Sequence, residues 1–278
     1  MNIIGLGRVG CNLAEQFSRF PQYKILKVDR GLQGEKRCLN LPDLDSPEEY
    51  EKLELKTGNF LRGLSGEVLV ILSGASVVSG VSLRLLEQIH KKGANISLLY
   101  IEPEVELLGQ TKRLQENIVR NVLQQYTRSG LFKKIFLVQN ASLESMLGDV
   151  PILEYHDTLN SYLVNMIHLL NVFENSESVS DSFSPPPDTA RICTFGVMGE
   201  DRVERLLYPM EEIREIRYYF GIPSESLRTQ NSLYREIIDL VKSKISKKLR
   251  ASYGIYETSY ESPITYGIYY SSQIQEKS

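Results

Sequence analysis

The chain has 278 residues, 42% of them hydrophobic and 24% charged, which is enough for one large core or two smaller ones. A formal net charge of −3 gives no cationic footprint for nucleic acid, and three scattered cysteines with no CxxC pair exclude a disulfide scaffold and a cysteine-ligated structural zinc. No apolar run approaches the ~20 residues of a membrane span, and the opening MNIIGLG has no charged lead, so a soluble cytoplasmic protein without a secretory signal is expected.

In chain order, residues 2–6 read as a strand, 7–12 as a glycine loop and 13–20 as a helix with Leu13, Ala14 and Phe17 on one face. A second strand, 23–28, closes on Asp29. Prolines and charge loosen the pattern over 30–66, where loops and one short helix are expected. Residues 68–72, VLVIL, form a buried strand that gives way to Ser73-Gly74-Ala75-Ser76 and Ser79-Gly80-Val81-Ser82, then to a helix ended by Gly93. A strand at 96–101, an amphipathic helix at 107–126 with Leu114, Ile118 and Val122 in register, and a strand at 135–138 follow. Strands alternating with helices imply parallel strands joined by right-handed crossovers. The fold class expected is therefore α/β, a doubly wound mostly parallel sheet over 1–151, with ligands beyond the carboxyl ends of its strands.

A central helix over 152–173 buries Leu159, Leu163, Met166, Ile167 and Leu170, and carries a polar stripe that includes Asn160 and Asn165. The serine- and proline-rich stretch 174–188 reads as a linker or surface loop before a second, smaller α/β domain, 189–278. In that domain the expected elements are a strand at 191–197, a helix at 200–220 bent at Pro209, and a helix at 232–249 burying Leu233, Ile237, Val241 and Ile245. Two tyrosine-rich strands, 251–256 and 264–270, are expected to pair as a hairpin. Lys242, Lys244, Lys247, Lys248 and Arg250 read as dipole complement and solvated surface. The dispersed histidines carry no metal or base role, and no metal ligand set is expected.

Two chemistries fit the phosphate-binding pattern. Gly5-x-Gly7-x-x-Gly10 after a strand, with Asp29 ending the next strand about 20 residues on, satisfies the dinucleotide fingerprint and points to NAD. Small-residue loops between a strand and a helix also cradle nucleotide phosphates in general.

Taken together, Gly7 to Asn12, the second loop at 73–82, the stretch Pro103 to Arg113, Gln139 to Leu143 before a long helix, and Met198-Gly199-Glu200-Asp201-Arg202 resemble, in order, the tubulin/FtsZ superfamily. The resemblance implies a guanine-nucleotide domain, GTP or GDP with Mg2+ carried by the nucleotide, and self-association into protofilaments. It implies phosphate contacts from Gly7, Gly10, Gly74, Ser76, Ser79, Gly80 and Ser82, ribose or base contacts from Asn12, Asn140 and Asn160, and a nucleotide contact from the third loop, where Leu108 stands in place of a Glu and Arg113, Glu106 or Lys112 compensates. Hydrolysis in this family needs acidic residues from a neighbouring subunit's loop, for which Glu177 and Asp181 are the candidates here. The chain departs from the pattern where Val77 and Val78 replace glycine and where 175–181 lacks the family's Asn-x-Asp-x-x-Asp. Weak or absent hydrolysis follows as an expectation, alongside a fold relative that has lost nucleotide and serves as a structural or adaptor subunit, its adaptor partner unknown.

Overall fold

Residues 1–34, 36–185, 187–199 and 201–276 are described by a computed structural model. Contacts within the chain group it into two units, Met1–Val164 and Asn165–Ser278. In the first unit the apolar runs become parallel strands: β1 (Asn2–Leu6), β2 (Lys24–Arg30), β3 (Cys38–Leu41), β4 (Glu67–Leu72), β5 (Asn95–Glu102) and β6 (Lys134–Gln139). They lie in the order β3-β2-β1-β4-β5-β6, each neighbouring pair parallel. Strands covered on both faces need side chains that are apolar in both directions, and Ile3, Ile4, Val70, Ile71, Leu98 and Leu99 are all fully buried. The chain leaves β1 toward β2 on one side and returns past it to β4 on the other. The gap between β1 and β4 is thus the topological switch point, where a doubly wound sheet opens a crevice.

The helices of this unit are α1 (Gly7–Gln16), α2 (Pro47–Lys52), α3 (Ser82–His90), α4 (Gln110–Arg128) and α5 (Asn140–Leu147), with α6 (Tyr155–Glu174) carrying the chain into the second unit. Helix α1 starts at Gly7, so residues 7–12 are helical rather than a loop. Gly7 makes the turn at φ +69°, and no longer connection is needed. Residues 139–143 are likewise mostly the first turn of α5. The strand β3 lies in a region expected to hold only loops and a helix.

Glycine at position 10 is a packing requirement. A Cβ there would meet the Ile71 carbonyl oxygen closer than real side-chain carbons come, and a Cβ on Gly5 would meet the Gly10 carbonyl in the same way. Both obstacles are backbone, so neither can swing aside. Gly10→Ala is expected to cost ~1–3 kcal/mol as α1 is pushed off β4, read as a lower urea midpoint. An unchanged midpoint would show that this close approach is not structural.

Helix α4 inverts its expected burial. Leu114 and Ile118 are 60% and 53% exposed, while Glu116, Arg120, Gln124 and Thr127 are buried together with Leu123. The apolar register is real, but it faces outward. The inward face is held instead by an ion network: Arg120 Nε lies 3.1 Å from Glu116 Oε1 and 3.7 Å from Glu102 Oε1.

In the second unit, β7 (Ser180–Asp181), β8 (Ile192–Met198), β9 (Glu204–Leu206), β10 (Ile213–Pro223), β11 (Arg250–Thr258) and β12 (Ile264–Ser271) are joined by α7 (Ser224–Thr229) and α8 (Leu233–Lys244). The strand order is β8-β12-β10-β11-β7, with β9 on β8. Here the expected helix at 200–220 is wrong. Ile216, Tyr218, Phe220 and Ile222 bury one face at a spacing of two and pack on Ile237 and Val241 of α8, which is strand periodicity in β-branched and aromatic residues. The segment that resembled a helix-opening Gly-Glu-Asp-Arg is a turn: Arg202 sits at φ 58° and its N–H donates to the Gly199 carbonyl at 3.0 Å. Glu200 itself lies outside the described residues.

The tyrosine-rich strands are not a hairpin. β10 lies between them, parallel to β11 and antiparallel to β12. The far face of β10 and β11 receives aromatic rings: Phe173 stacks on Tyr256 with centroids 4.5 Å apart, and Phe183 meets Tyr219 at 5.1 Å. Helix α8 ends at Lys244, so Ile245 is 53% exposed rather than part of the core. No described helix is long and apolar enough to cross a membrane.

Candidate functional site

The carboxyl ends of the parallel strands of the first unit open into a cleft of ≈ 1060 Å³. Its walls come from five of the six strand ends. Leu6, Gly7, Arg8 and Val9 follow β1; Asp29, Arg30 and Gly31 end β2; Asn40, Leu41, Pro42 and Asp43 end β3; Ser73, Ala75, Ser76 and Val77 follow β4; Pro103 and Lys112 follow β5. All of them lie at the carboxyl ends of the strands or in the loops and first helical turns that follow, as the topology requires.

The floor of the cleft is the start of α1. Leu6, its N-cap, provides no side-chain hydrogen bond, and the first turn holds no acidic residue. The leading N–H groups of a helix have no intrahelical acceptor and carry the positive end of its dipole. A Cβ on Gly7 would meet nothing within 4 Å, so the backbone there is open to a ligand. The loop after β4 supplies a second such start, a 3-10 turn over Val77–Val81 whose N-cap Ser76 also provides no side-chain cap.

The two valines are accommodated without strain. The wrap that glycines would give through positive φ is replaced by this 3-10 turn, and neither valine is among the described residues with positive φ. Val78 is buried and Val77 lines the cleft. The loop is braced from behind. The Ser79 hydroxyl donates to the Gly74 carbonyl at 2.9 Å, and Gln115 Nε2 donates to the Ser76 carbonyl at 2.7 Å and to Ser79 Oγ at 3.0 Å. A Cβ on Gly74 would strike the Tyr100 hydroxyl and one on Gly80 the Pro47 carbonyl. The loop therefore arrives at the cleft already shaped, with its glycines pressed against α2 and β5.

Of the residues singled out from sequence, Gly7, Asp29 and Ser76 line the cleft. Gly10 lies behind it against β4, and Gly74, Ser79, Gly80 and the buried Ser82 form the inner side of the second loop. Arg113 reaches back to its own loop, donating to the Leu108 carbonyl at 2.8 Å and the Glu106 carbonyl at 2.6 Å. Lys112, one residue earlier, is the cation on the cleft wall. Asn12 is exposed on α1 and Asn160 half-buried on α6, and the two helices meet where Ser161 Oγ donates to Gln16 Oε1 at 3.3 Å. Asn140 is the first residue of α5.

Glu177 and Asp181 belong to the second unit. Glu177 is exposed; Asp181 accepts from Ser178 Oγ and pairs through its backbone with Gly254 of β11.

The electrostatics of the cleft are set by five charged side chains. Arg30 is paired with Asp43, and Asp29 accepts the Arg30 N–H at 2.8 Å. Arg8 and Lys112 are exposed and enter no ion pair among the described residues. Arg8 was not singled out from sequence; the signal available was its place directly after the Gly7 turn, where any side chain flanks the open amides. Cys11 is no nucleophile: burial pushes its thiol up to about 12, and its sulfur donates to the Gly5 and Val28 carbonyls at 3.4 and 3.7 Å. The described residues hold no group of three or more His, Cys, Asp or Glu that could bind a metal.

No sequence-family model matches the chain, and no curated protein matches it. Solved structures do. The GTPγS-form protofilament of TubZ from Bacillus thuringiensis serovar israelensis is similar at TM-score 0.73 and 15% identity, over 97% of this chain and 86% of that one. An empty FtsZ dimer from M. jannaschii matches at TM-score 0.68 and 13% identity, over 98% and 88%. CetZ2 from Haloferax volcanii, a GTPγS-bound protofilament, matches at TM-score 0.69 and 13% identity, over 97% and 92%. The fold is the one that these TubZ, FtsZ and CetZ structures share.

Proposed function

We propose that this chain binds a guanine nucleotide in the cleft of its first unit and associates with further copies of itself into protofilaments. The observation that carries the reading is the floor of the cleft. Two uncapped helical starts, at Gly7 and after Ser76, face one space together with Arg8 and Lys112, two cations that enter no ion pair among the described residues. Orphan amides and unpaired cations around an open glycine are what a polyphosphate needs. The choice of guanine is supported by two of the similar structures named above, which are GTPγS-form or GTPγS-bound protofilaments.

In this reading Gly7 and Ser76 meet the phosphates directly. Gly10, Gly74, Ser79, Gly80 and Ser82 set the backbone that presents them, and Arg113 holds the third loop. Asn12, Asn140 and Asn160 address ribose and base. Mg2+ comes with the nucleotide: with no group of three His, Cys, Asp or Glu ligands among the described residues, it would be held by phosphate oxygens, waters and the Asp29 carboxylate. Hydrolysis is weak or absent, because Glu177 is exposed with no ion pair among the described residues and Asp181 is held by Ser178 and β11.

Titration calorimetry with GTP, GDP and NAD decides the matter. Saturable heat with the guanine nucleotides and none with NAD is expected. Binding of NAD alone would move Asp29 to a ribose hydroxyl and replace this reading with a dinucleotide one. No binding of any of the three would leave a fold relative without nucleotide.

A further inference from the structure

The second loop of the cleft is oriented by a side chain that does not line it. Gln115 is half-buried on α4, and its carboxamide nitrogen has two N–H donors. Both are spent on this loop, one on the Ser76 carbonyl at 2.7 Å and one on Ser79 Oγ at 3.0 Å. The Ser76 carbonyl also closes the first bond of the 3-10 turn, accepting the Ser79 N–H at 2.9 Å. Both lone pairs of that oxygen are therefore engaged, and its direction is fixed. A peptide group is planar and trans, so the N–H of the next residue points opposite to the carbonyl. Fixing the Ser76 oxygen thus fixes the Val77 N–H, which points away from Gln115. Ser76 and Val77 both line the cleft, so this amide is turned from the brace toward the open side.

We propose that Gln115 is a positioning residue for nucleotide binding: it holds the Val77 N–H toward the cleft as a phosphate donor. The role rests on the nucleotide reading above and names the amide which that reading needs from this loop. A leading N–H of a helical turn has no acceptor within the turn, and one held toward the cleft finds its acceptor there. The brace also answers the missing glycines. Glycine reaches unusual orientations through its own backbone freedom, and valine does not; a donor from another element supplies the constraint instead. The choice of element matters. Lys112 lies three residues before Gln115, hence on the same side of α4, so the helix that brings a cation to the cleft also aims the amide into it. The helix is itself anchored at the next residue, where the Tyr100 hydroxyl donates to Glu116 Oε1 at 3.0 Å. Gly74 of the loop leaves room for that hydroxyl, which a Cβ would strike. Cation and amide therefore keep a fixed spacing.

Calorimetry with GTP on the full chain tests it, at neutral pH and down through the carboxylate range. Gln115→Met keeps the length of the side chain without its donors. It is expected to raise the GTP dissociation constant about tenfold, with an unchanged melting temperature of the nucleotide-free protein confirming the fold. Gln115→Glu separates aiming from mere support. Ionised, its carboxylate offers only acceptors to the Ser76 carbonyl, so it is expected to bind GTP more weakly than Gln115→Met. Protonated, it donates one hydrogen bond there and is expected to bind GTP more tightly than Gln115→Met. Every other titratable group, on protein and nucleotide alike, is common to the two variants and cancels in their ratio. Loss of charge alone could bring the two affinities together but not past each other. Gln115→Met binding GTP as the wild type does, or affinities that never cross, overturns the proposal and leaves the nucleotide reading in place. A wild type that binds no GTP overturns both.

Discussion

Replacing Arg120 by Met is expected to lower the stability of the protein by ~3–5 kcal/mol, because it strands two buried carboxylates without their cation. Arg120, Glu102 and Glu116 are each 1% exposed. Besides the two carboxylates, the guanidinium donates to Asn117 Oδ1 at 3.0 Å. Glu116 accepts from the Tyr100 hydroxyl at 3.0 Å, and Glu102 from Gln139 Nε2 at 2.5 Å. Methionine fills the volume but supplies no charge.

The pH dependence distinguishes this cause from a packing defect. Burial already holds the Glu116 carboxyl above its ordinary value, against the pull of Arg120. A carboxyl raised in the folded state binds more protons there than in the unfolded chain, so its contribution is most favourable below the unfolded value. That contribution is lost as pH rises through the folded one. Removing Arg120 takes away the main opposing influence and raises Glu116 further. The deficit of the variant against wild type should therefore be largest at neutral pH and shrink as pH falls toward the carboxylate range. Urea unfolding of both chains across that range measures it; a deficit independent of pH would assign the loss to packing alone.

This network also explains what could and could not be read beforehand. The strands of the first unit were legible because residues buried on both faces must be apolar throughout, and 68–72 and 96–101 are. The outward stripe of α4 was legible as a period but not as a direction. Periodicity finds the apolar face of a helix, and nothing in one sequence says that Glu116 and Arg120 neutralise each other under the sheet. Strand β10 was misread because Val203, Leu207, Met210 and Ile213 happen to fall at helical spacing, while the true signal, alternation from Ile216 to Ile222, is interleaved with arginine and tyrosine that pack on the other face.

At the site, Gly5, Gly7 and Gly10 mark a strand-to-helix crossing, yet the letters do not separate the glycine that opens toward the ligand from the two that let α1 touch the sheet. Only backbone distances do: Gly7 faces open space and Gly10 faces Ile71. Lysine and arginine carry a similar ambiguity. Arg113 fits a phosphate ligand by position in the third loop, but it spends its donors on the Leu108 and Glu106 carbonyls, leaving the cleft to Lys112.

The largest effect on ligand binding is accordingly expected at Arg8 and Lys112. Both line the cleft, one on the first turn of α1 and one on the first turn of α4, and neither is committed to an ion pair among the described residues. A charge-assisted contact to phosphate contributes ~1.5–3 kcal/mol. Arg8→Ala with Lys112→Ala is thus expected to weaken GTP binding by about 100-fold or more in calorimetry, and each single change by about tenfold. Two further features identify the loss as electrostatic. GTP should suffer more than GDP, because the third phosphate carries the added charge. The affinity of the wild type should fall with rising salt more steeply than that of the double variant, since exposed charges are screened. Because both side chains are exposed, the melting temperature without nucleotide should stay where it is. An equal loss for GTP and GDP would put the two cations on the phosphates both nucleotides share, whereas no loss for either, or an unchanged salt dependence, would place the phosphates elsewhere.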